Sequence, residues 1–257
     1  MAADATRVYV APHYDDVALS CGGQVAADAR TAAPTIVTVF AGQATQLHGA
    51  FARFQHARWG FDDDDAVAQR RAEDACAALA LGASVRVRWL EELDAIYRNP
   101  AYDSDSALFG RRLASDGGVV QRVVAALAAL SAHEFIVPLG VGNHVDHQLA
   151  FRAGQALAAD GHAVWAYADL PYALNSAAVE QRLACGGVGP ARLLTLDDEA
   201  WERKLRAIEC YASQLPVLFR SHGDPRAALT VQARSLGDGQ PAEALWPVLP
   251  GADPWSS

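Results

Sequence analysis

The chain has 257 residues, of which 51% are hydrophobic and 20% are charged, proportions that are ordinary for a soluble globular protein. Its net charge of -9 and the lack of a basic patch argue against nucleic acid or an anionic membrane as a partner. The start of the chain shows no signal-peptide pattern and no apolar run reaches about 18 residues, so we expect no stable membrane insertion and a cytoplasmic location.

The four cysteines are too far apart in the sequence to form a C-x-x-C pair or a zinc ribbon. They are Cys21, Cys76, Cys185 and Cys210. In a cytosolic protein such isolated cysteines are usually reduced. We therefore expect four buried, reduced thiols.

The first half of the chain alternates between strand and helix patterns. Strands are predicted at 7–11, 35–40 and 84–90, and helices at 17–30 and 66–81. Residues 41–65 are predicted to form a long loop that could cover a site. This loop contains His48 and His56, which we do not expect to bind metal.

The second half continues the alternation after an irregular stretch at 91–116. Helices are predicted at 119–130, 146–160 and 198–214, and strands at 134–139, 162–170 and 192–196. Because the strands are continuously apolar, they predict a mostly parallel sheet with helices on both faces. We expect one domain over residues 1–257, with an irregular tail from about 220.

Two groups of polar residues follow two of the predicted strands. They are His13, Asp15 and Asp16 after the first strand, and His144, Asp146 and His147 after the strand at 134–139. Ligands of open α/β sheets bind beyond the carboxyl ends of the strands. If the two strands are neighbours, the groups form one cluster at that edge of the sheet.

The spacing within the two groups predicts a metal site. His13 and Asp16 are three residues apart across a turn into a helix, so both can converge on one point while Asp15 points elsewhere. With His147 they supply the three N and O ligands of a catalytic zinc site, which keeps one position open for water. Asp15 is then free as general base and His144 as the acidic partner.

A simpler interpretation needs no metal. Asp15 and Asp16 could cap a helix and the histidines could lie on the surface, because Asp is common in turns and caps. Two such clusters in one chain, each directly after a strand, favour the metal site over this alternative.

The same motifs resemble those of a known enzyme family. PHYDDVALSCGG resembles the HPDDE…L…GG signature of the LmbE-like, PIG-L-type deacetylases, and NHVDHQLA resembles their His-x-Asp-His signature. RRAEDACAALALG is similar to their Arg-x-x-Glu helix and places Arg70 and Glu73 in it. In two positions the chain departs from the first signature: Tyr14 replaces Pro and Val17 replaces Glu.

The resemblance implies a Rossmann-like α/β fold and an amidase with one zinc ion per chain. It makes His13, Asp16 and His147 the metal ligands and Asp15 the general base. His144 would stabilise the oxyanion or protonate the amine. Asp146 would orient a histidine from behind.

Other residues have a possible role at the pocket and a plainer alternative. Arg70 could bind a sugar hydroxyl or a phosphate, or pair with Glu73 on its own helix. Gln43 could line the pocket or belong to a simple turn. Trp59 and Tyr172 are expected in the core more than as platforms for a sugar ring. We assign no role to His222.

The sequence thus predicts a zinc-dependent de-N-acetylase of an N-acetylated amino sugar or glycoconjugate, a small-molecule partner. Another divalent ion could replace zinc. Two alternatives stay open: an amidase for a thiol conjugate or a lipoglycopeptide, and a non-catalytic sugar-binding protein on the same fold. A dinucleotide-binding protein is disfavoured, since SCGGQ lacks the G-x-G-x-x-G pattern. The oligomeric state is left open.

Overall fold

The computed structural model describes residues 7–45, 49–62 and 65–256. The strands among these residues are β1 (Arg7–Ala11), β2 (Thr35–Thr38), β3 (Arg86–Trp89), β4 (Glu134–Pro138), β5 (Ala163–Tyr167), β6 (Arg192–Thr195) and β7 (Ala242–Pro247). They form one sheet in the order β3-β2-β1-β4-β5-β7-β6. The first five strands are parallel, and β7 runs antiparallel between β5 and β6. The predicted mostly parallel α/β sheet is confirmed.

Helices connect and cover these strands. They are α1 (Asp16–Asp28), α2 (Ala50–Trp59), α3 (Ala66–Leu81), α4 (Ala95–Arg98), α5 (Asp105–Leu108), α6 (Val119–Ala128), α7 (Val145–Ala159), α8 (Ser176–Ala184), α9 (Asp198–Glu209), α10 (Leu215–Leu218) and α11 (Pro225–Leu236). Helices α1, α3 and α9 pack together, and α6 packs on α7. Within the described ranges, no helix combines the length and apolar character needed to cross a membrane.

The continuous apolar runs of the central strands match their burial. Every residue of Val8–Ala11 in β1 and of Phe135–Pro138 in β4 is buried, so both faces of these strands are covered. β1 and β4 are hydrogen-bonded neighbours, with Val8 opposite Phe135. The chain leaves β1 toward β2 and leaves β4 toward β5, in opposite directions along the sheet. This reversal opens a crevice at the carboxyl ends of β1 and β4. Both polar groups follow these strands and therefore lie at the crevice.

Three segments predicted as irregular contain regular structure. The loop predicted at 41–65 contains α2, and the irregular stretch predicted at 91–116 contains the short helices α4 and α5. The tail predicted from about 220 contains α11 and β7. β7 completes the sheet because its residues Ala242–Trp246 are buried between β5 and β6.

The expectation of four buried, reduced cysteines is wrong. Cys76 on α3 and Cys210 after α9 form a disulfide, because the two helices pack side by side and bring their Cα atoms to 5.9 Å. Cys185 is exposed and only Cys21 is a buried free thiol among the described cysteines. Cysteine usage therefore gives no support to the predicted cytoplasmic location.

Candidate active site

A pocket of about 570 Å³ opens at the carboxyl ends of β1 and β4. This volume lies within the usual range of small-molecule sites. Six of the predicted site residues line the pocket: His13, Asp15, Asp16, Arg70, His144 and His147. Asp146 lies behind His13 with no exposed surface. Gln43 is exposed and does not line the pocket, so its predicted place there is wrong.

The carboxylate of Asp16 lies between two imidazoles. The turn from β1 into α1 is closed by the His13 backbone N–H, which donates to Oδ2 of Asp16 at 2.7 Å. The same oxygen is 3.5 Å from Nδ1 of His13, and Oδ1 is 3.4 Å from Nε2 of His147. The three side chains that the sequence predicted as metal ligands therefore converge.

A buried carboxylate fixes the ring of His147 from the far side. Oδ1 of Asp169 is 2.6 Å from Nδ1 of His147, and its Oδ2 accepts from the backbone N–H groups of Gly140 and Val141. In the neutral ring, the form that binds a metal ion, the hydrogen is thereby placed on Nδ1 and the lone pair of Nε2 faces Asp16. Asp169 was missed in the sequence, although it follows β5 as the other polar groups follow β1 and β4.

A second buried carboxylate, Asp146, faces His13 in the same way. Oδ2 of Asp146 is 3.1 Å from Nε2 of His13, and Oδ1 accepts from Arg98 at 2.7 Å. Asp94, which was missed, places its Oδ2 3.5 Å from the same Nε2 and also lines the pocket. Nδ1 of His13 therefore faces Asp16.

This donor set fits a divalent cation. Both histidines have their outer nitrogens held by carboxylates, the usual arrangement behind a metal-bound imidazole. Their inner nitrogens face one carboxylate, and His₂Asp is a common set of zinc ligands. His144 also brings a nitrogen within 4.8 Å of nitrogens of His13 and His147, so it is a second candidate for the third ligand.

Charges around the cluster set its protonation. Burial alone raises the pKa of Asp16, but His147 and His13 outweigh it and lower that pKa to about 2. Burial likewise opposes ionisation of Asp146, and the charges of Arg98 and His13 lower its pKa despite this. Both carboxylates are therefore ionised near neutral pH, as a cation site needs.

Asp15 differs from Asp16 in its environment. It is buried against Arg70, whose guanidinium lies 3.3 Å from Oδ1. Burial raises the pKa of Asp15, and the charge of Arg70 offsets only part of this rise. Arg70 itself is held between the rings of Tyr14 and Trp59, each 4.9 Å away.

The pairing of Arg70 with Glu73 that the sequence left open does not occur. Glu73 instead accepts hydrogen bonds from the backbone and the hydroxyl of Ser213. Arg70 lines the pocket, and its Nε is buried without a hydrogen-bond partner among the described residues. Arg70 therefore keeps one unsatisfied buried N–H group beside the pocket.

His144 caps the first turn of α7. Its Nδ1 accepts from the backbone N–H of Asp146 at 3.2 Å, so a neutral His144 carries its hydrogen on Nε2. Burial, followed by the charge of His13, lowers the pKa of His144 well below its ordinary value. The neutral ring is thus an N–H donor at the pocket wall.

The pocket has aromatic walls formed by Trp59, Phe109 and Tyr172. Trp59 and Tyr172 are partly buried and also pack against the hydrophobic core, so they have both a core contact and a face at the pocket. His222 also lines the pocket. His56 lies within α2, is buried and contacts Tyr97 at 2.5 Å. His48 lies outside the described residues.

Comparison with known proteins shows clear relatives. Residues 8–158 match the family profile described as PIG-L, GlcNAc-PI de-N-acetylase. A 2′-N-acetylparomamine deacetylase of Streptomyces fradiae is 33% identical over 210 residues, which are 80% of this chain and 72% of the relative. A second enzyme of that name, from Niallia circulans, is 29% identical over 187 residues, 64% of this chain and 66% of the relative.

Solved structures resemble the whole fold. The zinc-inhibited form of teicoplanin deacetylase Orf2 has a TM-score of 0.80 at 28% identity, covering 96% of this chain and 99% of the other. The A40926 pseudoaglycone deacetylase Dbv21 has a TM-score of 0.77 at 30% identity, covering 96% and 98%. The similarity therefore extends over nearly the whole length of this chain.

Proposed function

This chain belongs to the PIG-L family of deacetylases, and we propose that it uses a divalent metal ion to hydrolyse the acetamide of an N-acetylated amino sugar. One observation carries the proposal: the Asp16 carboxylate lies between the inner nitrogens of His13 and His147, with Asp15 beside it at the same pocket. A sugar-binding protein has no need for a base next to such a donor set.

His13, Asp16 and His147 would hold the ion, as the family resemblance also implies. We favour Asp16 over His144 as the third ligand because Asp16 brings a negative charge and contacts both other ligands. A divalent ion there supplies Lewis acidity, which lowers the pKa of water and polarises a carbonyl. Zinc is the ion we propose, and the resemblance to a zinc-inhibited deacetylase supports a divalent-cation site.

Asp15 would move the proton of the reaction. Its raised pKa makes it a stronger base than an exposed carboxylate, and its ion pair with Arg70 keeps it ionised and oriented. Asp15 accepts a proton from the attacking water and returns it to the nitrogen when the C–N bond breaks. The products are acetic acid and the free amine, which exchange a proton near neutral pH to give acetate and the ammonium form.

His144 would stabilise the negative charge that develops on the acetyl oxygen. Because its Nδ1 accepts from the Asp146 backbone, Nε2 keeps its hydrogen and can donate it to that oxygen. A donor in a buried site costs no reorganisation during the reaction. Of the two roles predicted for His144, this geometry favours the oxyanion donor over the acid.

The substrate we propose is the N-acetylated amino sugar of a larger glycoside. Curated relatives that are 33% and 29% identical act, by name, on 2′-N-acetylparomamine. In this chain Arg70 and Asp94 offer polar contacts in the pocket, and Trp59 and Phe109 line the same pocket with aromatic rings. These features suit a sugar with hydroxyl groups on one side and an apolar face on the other.

An acylated glycopeptide is the second candidate substrate. The solved deacetylases of similar fold act, by name, on teicoplanin and the A40926 pseudoaglycone. Three apolar side chains, Leu108, Val217 and Leu218, also line the pocket and could contact an acyl chain or an aromatic peptide. A substrate panel with both compound classes separates the two candidates.

The metal content of the purified protein tests the site first. We expect about one divalent ion per chain in the wild type and little in His13→Ala and His147→Ala. His133→Ala is the matched control, because His133 is exposed and outside this pocket. Equal metal content in all four proteins would show that His13 and His147 are not metal ligands.

Activity tests the chemistry. With zinc added to one equivalent, the wild type should release acetate from 2′-N-acetylparomamine or from an acylated glycopeptide. Asp15→Asn should keep its metal and lose at least about 100-fold in kcat, since it removes only the proton carrier. A metal-loaded wild type that hydrolyses neither class, or an Asp15→Asn variant with normal kcat, would contradict the proposed mechanism.

A further inference from the structure

We propose that a short segment near residue 255 positions the loop that ends in His144. The segment is residues 252–256, here called the strap, and the loop is residues 139–144, here called the β4–α7 loop. Trp255 is the positioning residue of the strap. The proposal rests on the oxyanion role proposed for His144.

The β4–α7 loop has a backbone that needs support. Gly140 and Gly142 have φ values of 87° and 88°, and Asn143 has φ 66° although it is not a glycine. Left-handed backbone is uncommon at non-glycine residues and Asn adopts it more readily than most, so the contacts of Asn143 and its glycine neighbours select this turn. His144 follows directly, so the side chain of His144 takes its position from this loop.

Trp255 contacts the loop at two points. Its Nε1 donates a hydrogen bond of 2.9 Å to Oδ1 of Asn143, the left-handed residue beside His144. Its ring lies against Gly140 so closely that a Cβ at Gly140 would be 2.6 Å from Cζ2 of the indole. The indole therefore fits against the loop backbone itself.

Trp255 also covers the side chain that holds the start of the loop. The guanidinium of Arg182 lies between the rings of Phe151 and Trp255, at 4.5 and 4.6 Å from their centroids. Arg182 Nε donates to the carbonyl of Leu139 at 2.7 Å. Removing the indole would therefore expose Arg182 and weaken its hold on Leu139.

The strap has its own anchors. Asp253 is ion-paired with Arg112, and its Oδ1 accepts from the backbone N–H of Trp255. Ser256 donates through both its backbone N–H and its hydroxyl to the carbonyl of Asp253. These contacts fix the indole over the loop, so the strap acts as a rigid support.

The metal ligand His147 has a further support that does not need the indole, and this makes the effect of the strap selective. His147 lies on α7 and is held by Asp169, which also binds the amides of Gly140 and Val141. Loss of Trp255 leaves these contacts in place and frees the part of the loop near Asn143. We therefore expect a change at His144 without loss of metal.

Hydrogen exchange of the metal-loaded protein tests the structural part of the proposal. In Trp255→Ala the amide of Asn143 should exchange at least about 10-fold faster than in the wild type. Trp255→Phe keeps the ring over Arg182 and loses only the hydrogen bond, so its effect should be smaller. Leu249→Ala, a change at an exposed residue in the same part of the chain, should have none. Unchanged exchange in Trp255→Ala overturns the proposal.

Kinetics with 2′-N-acetylparomamine test the link to His144. We expect Trp255→Ala to lower kcat by about 10-fold, with KM within about two-fold and metal content unchanged, because a displaced donor binds the transition state less well. In a His144→Ala background the same change should lower kcat no further. An equal fall in both backgrounds overturns the proposal.

The two proposals can fail separately. A wild type without activity on this probe, or a His144→Ala variant with normal kcat, contradicts the proposed function or the role of His144. Hydrogen exchange still decides whether Trp255 holds the loop. A loss of metal or a lower melting temperature in Trp255→Phe would show a merely structural role and overturn the positioning role.

Discussion

The carboxylate of Asp169 connects two parts of the pocket wall. One oxygen holds Nδ1 of His147 and the other holds two backbone amides of the β4–α7 loop. Asp146 has a similar double role, since it holds Nε2 of His13 and accepts from Arg98. Each proposed histidine ligand is thus oriented by a fully buried carboxylate. The inner nitrogens of both histidines therefore face Asp16.

Asp169→Asn should weaken metal binding while the fold is kept. The amide oxygen can still accept from Gly140 and Val141, but the negative charge facing His147 is lost. Loss of such a supporting carboxylate commonly costs about 10–100-fold in metal affinity. A zinc titration of the apo protein against a competing chelator measures this, with Asp160→Asn, distant at the end of α7, as control. Equal affinities would show that Asp169 supports only the loop.

At the scale of elements, a buried carboxyl joins β2, β3 and α3. Asp74 on α3 is contacted by the Thr38 hydroxyl, by Nε1 of Trp89 and by the hydroxyl of Tyr211. The Tyr211 hydroxyl is also 2.7 Å from the carbonyl of Tyr14. A hydroxyl has one hydrogen, so both contacts are hydrogen bonds only when Asp74 is protonated and donates to Tyr211.

Asp74 should make the protein less stable as the pH rises. Burial raises the pKa of Asp74 to about 6 from an ordinary value of 3.8, although the hydrogen bonds that Trp89 and Thr38 donate to the carboxyl group lower it. Between these values the folded protein binds more protons than the unfolded chain, so the free energy of unfolding falls with increasing pH. The loss is about 2–3 kcal/mol at pH 8.

Asp74→Asn tests this. The amide can donate to Tyr211 and accept from Trp89 and Thr38 at every pH. In the variant, the free energy of unfolding therefore lacks the fall with rising pH that Asp74 causes. Urea unfolding should show the variant more stable than the wild type by about 2–3 kcal/mol at pH 8 and no more stable at pH 4. A stability difference that does not change with pH would mean that Asp74 is not protonated in the folded state.

The elements that the sequence predicted well are those with a local signal. β1 and β4 are continuous apolar runs, and α3 extends over Ala66–Leu81 as predicted. β7 was missed because its burial depends on a distant partner: Glu243 is buried by an ion pair with Lys204 on α9. No pattern within AEALWP reveals that contact.

In the site, too, residues with a local sequence signal were predicted and residues that act through tertiary contacts were missed. The predicted ligands lie within two short motifs that each follow a strand, and the pairing of β1 with β4 brings the two motifs together at one edge of the sheet. Asp94, Asp169 and Trp255 come from three other places in the chain and act through tertiary contacts. Gln43 was placed in the pocket because it follows β2, but the chain there turns away to solvent.

At the scale of the whole molecule, one sheet spans β1 to β7, and we propose that the chain is one domain. The two halves of the sheet contribute different parts of the site. β1 brings His13, Asp15 and Asp16, while β4 leads to His144 and His147. The disulfide between Cys76 and Cys210 joins α3, from the first half, to the end of α9, from the second.

Loss of this disulfide should destabilise the whole fold. The bond closes a loop between residues 134 apart in sequence, and it restricts the unfolded chain more than the folded one. For the double variant Cys76→Ser with Cys210→Ser we expect the free energy of unfolding to fall by about 2–4 kcal/mol. Urea unfolding without reductant measures this, with Cys185→Ser, a change at an exposed free thiol, as control.

Reduction of the wild type should have the same effect as the double variant and should add nothing to it. Metal content should not change, because neither cysteine contacts the proposed ligands and the pocket side chains keep their own supports. If the double variant unfolds at the same urea concentration as the wild type, the two thiols are not bonded in solution. The original expectation of reduced cysteines would then hold for this pair.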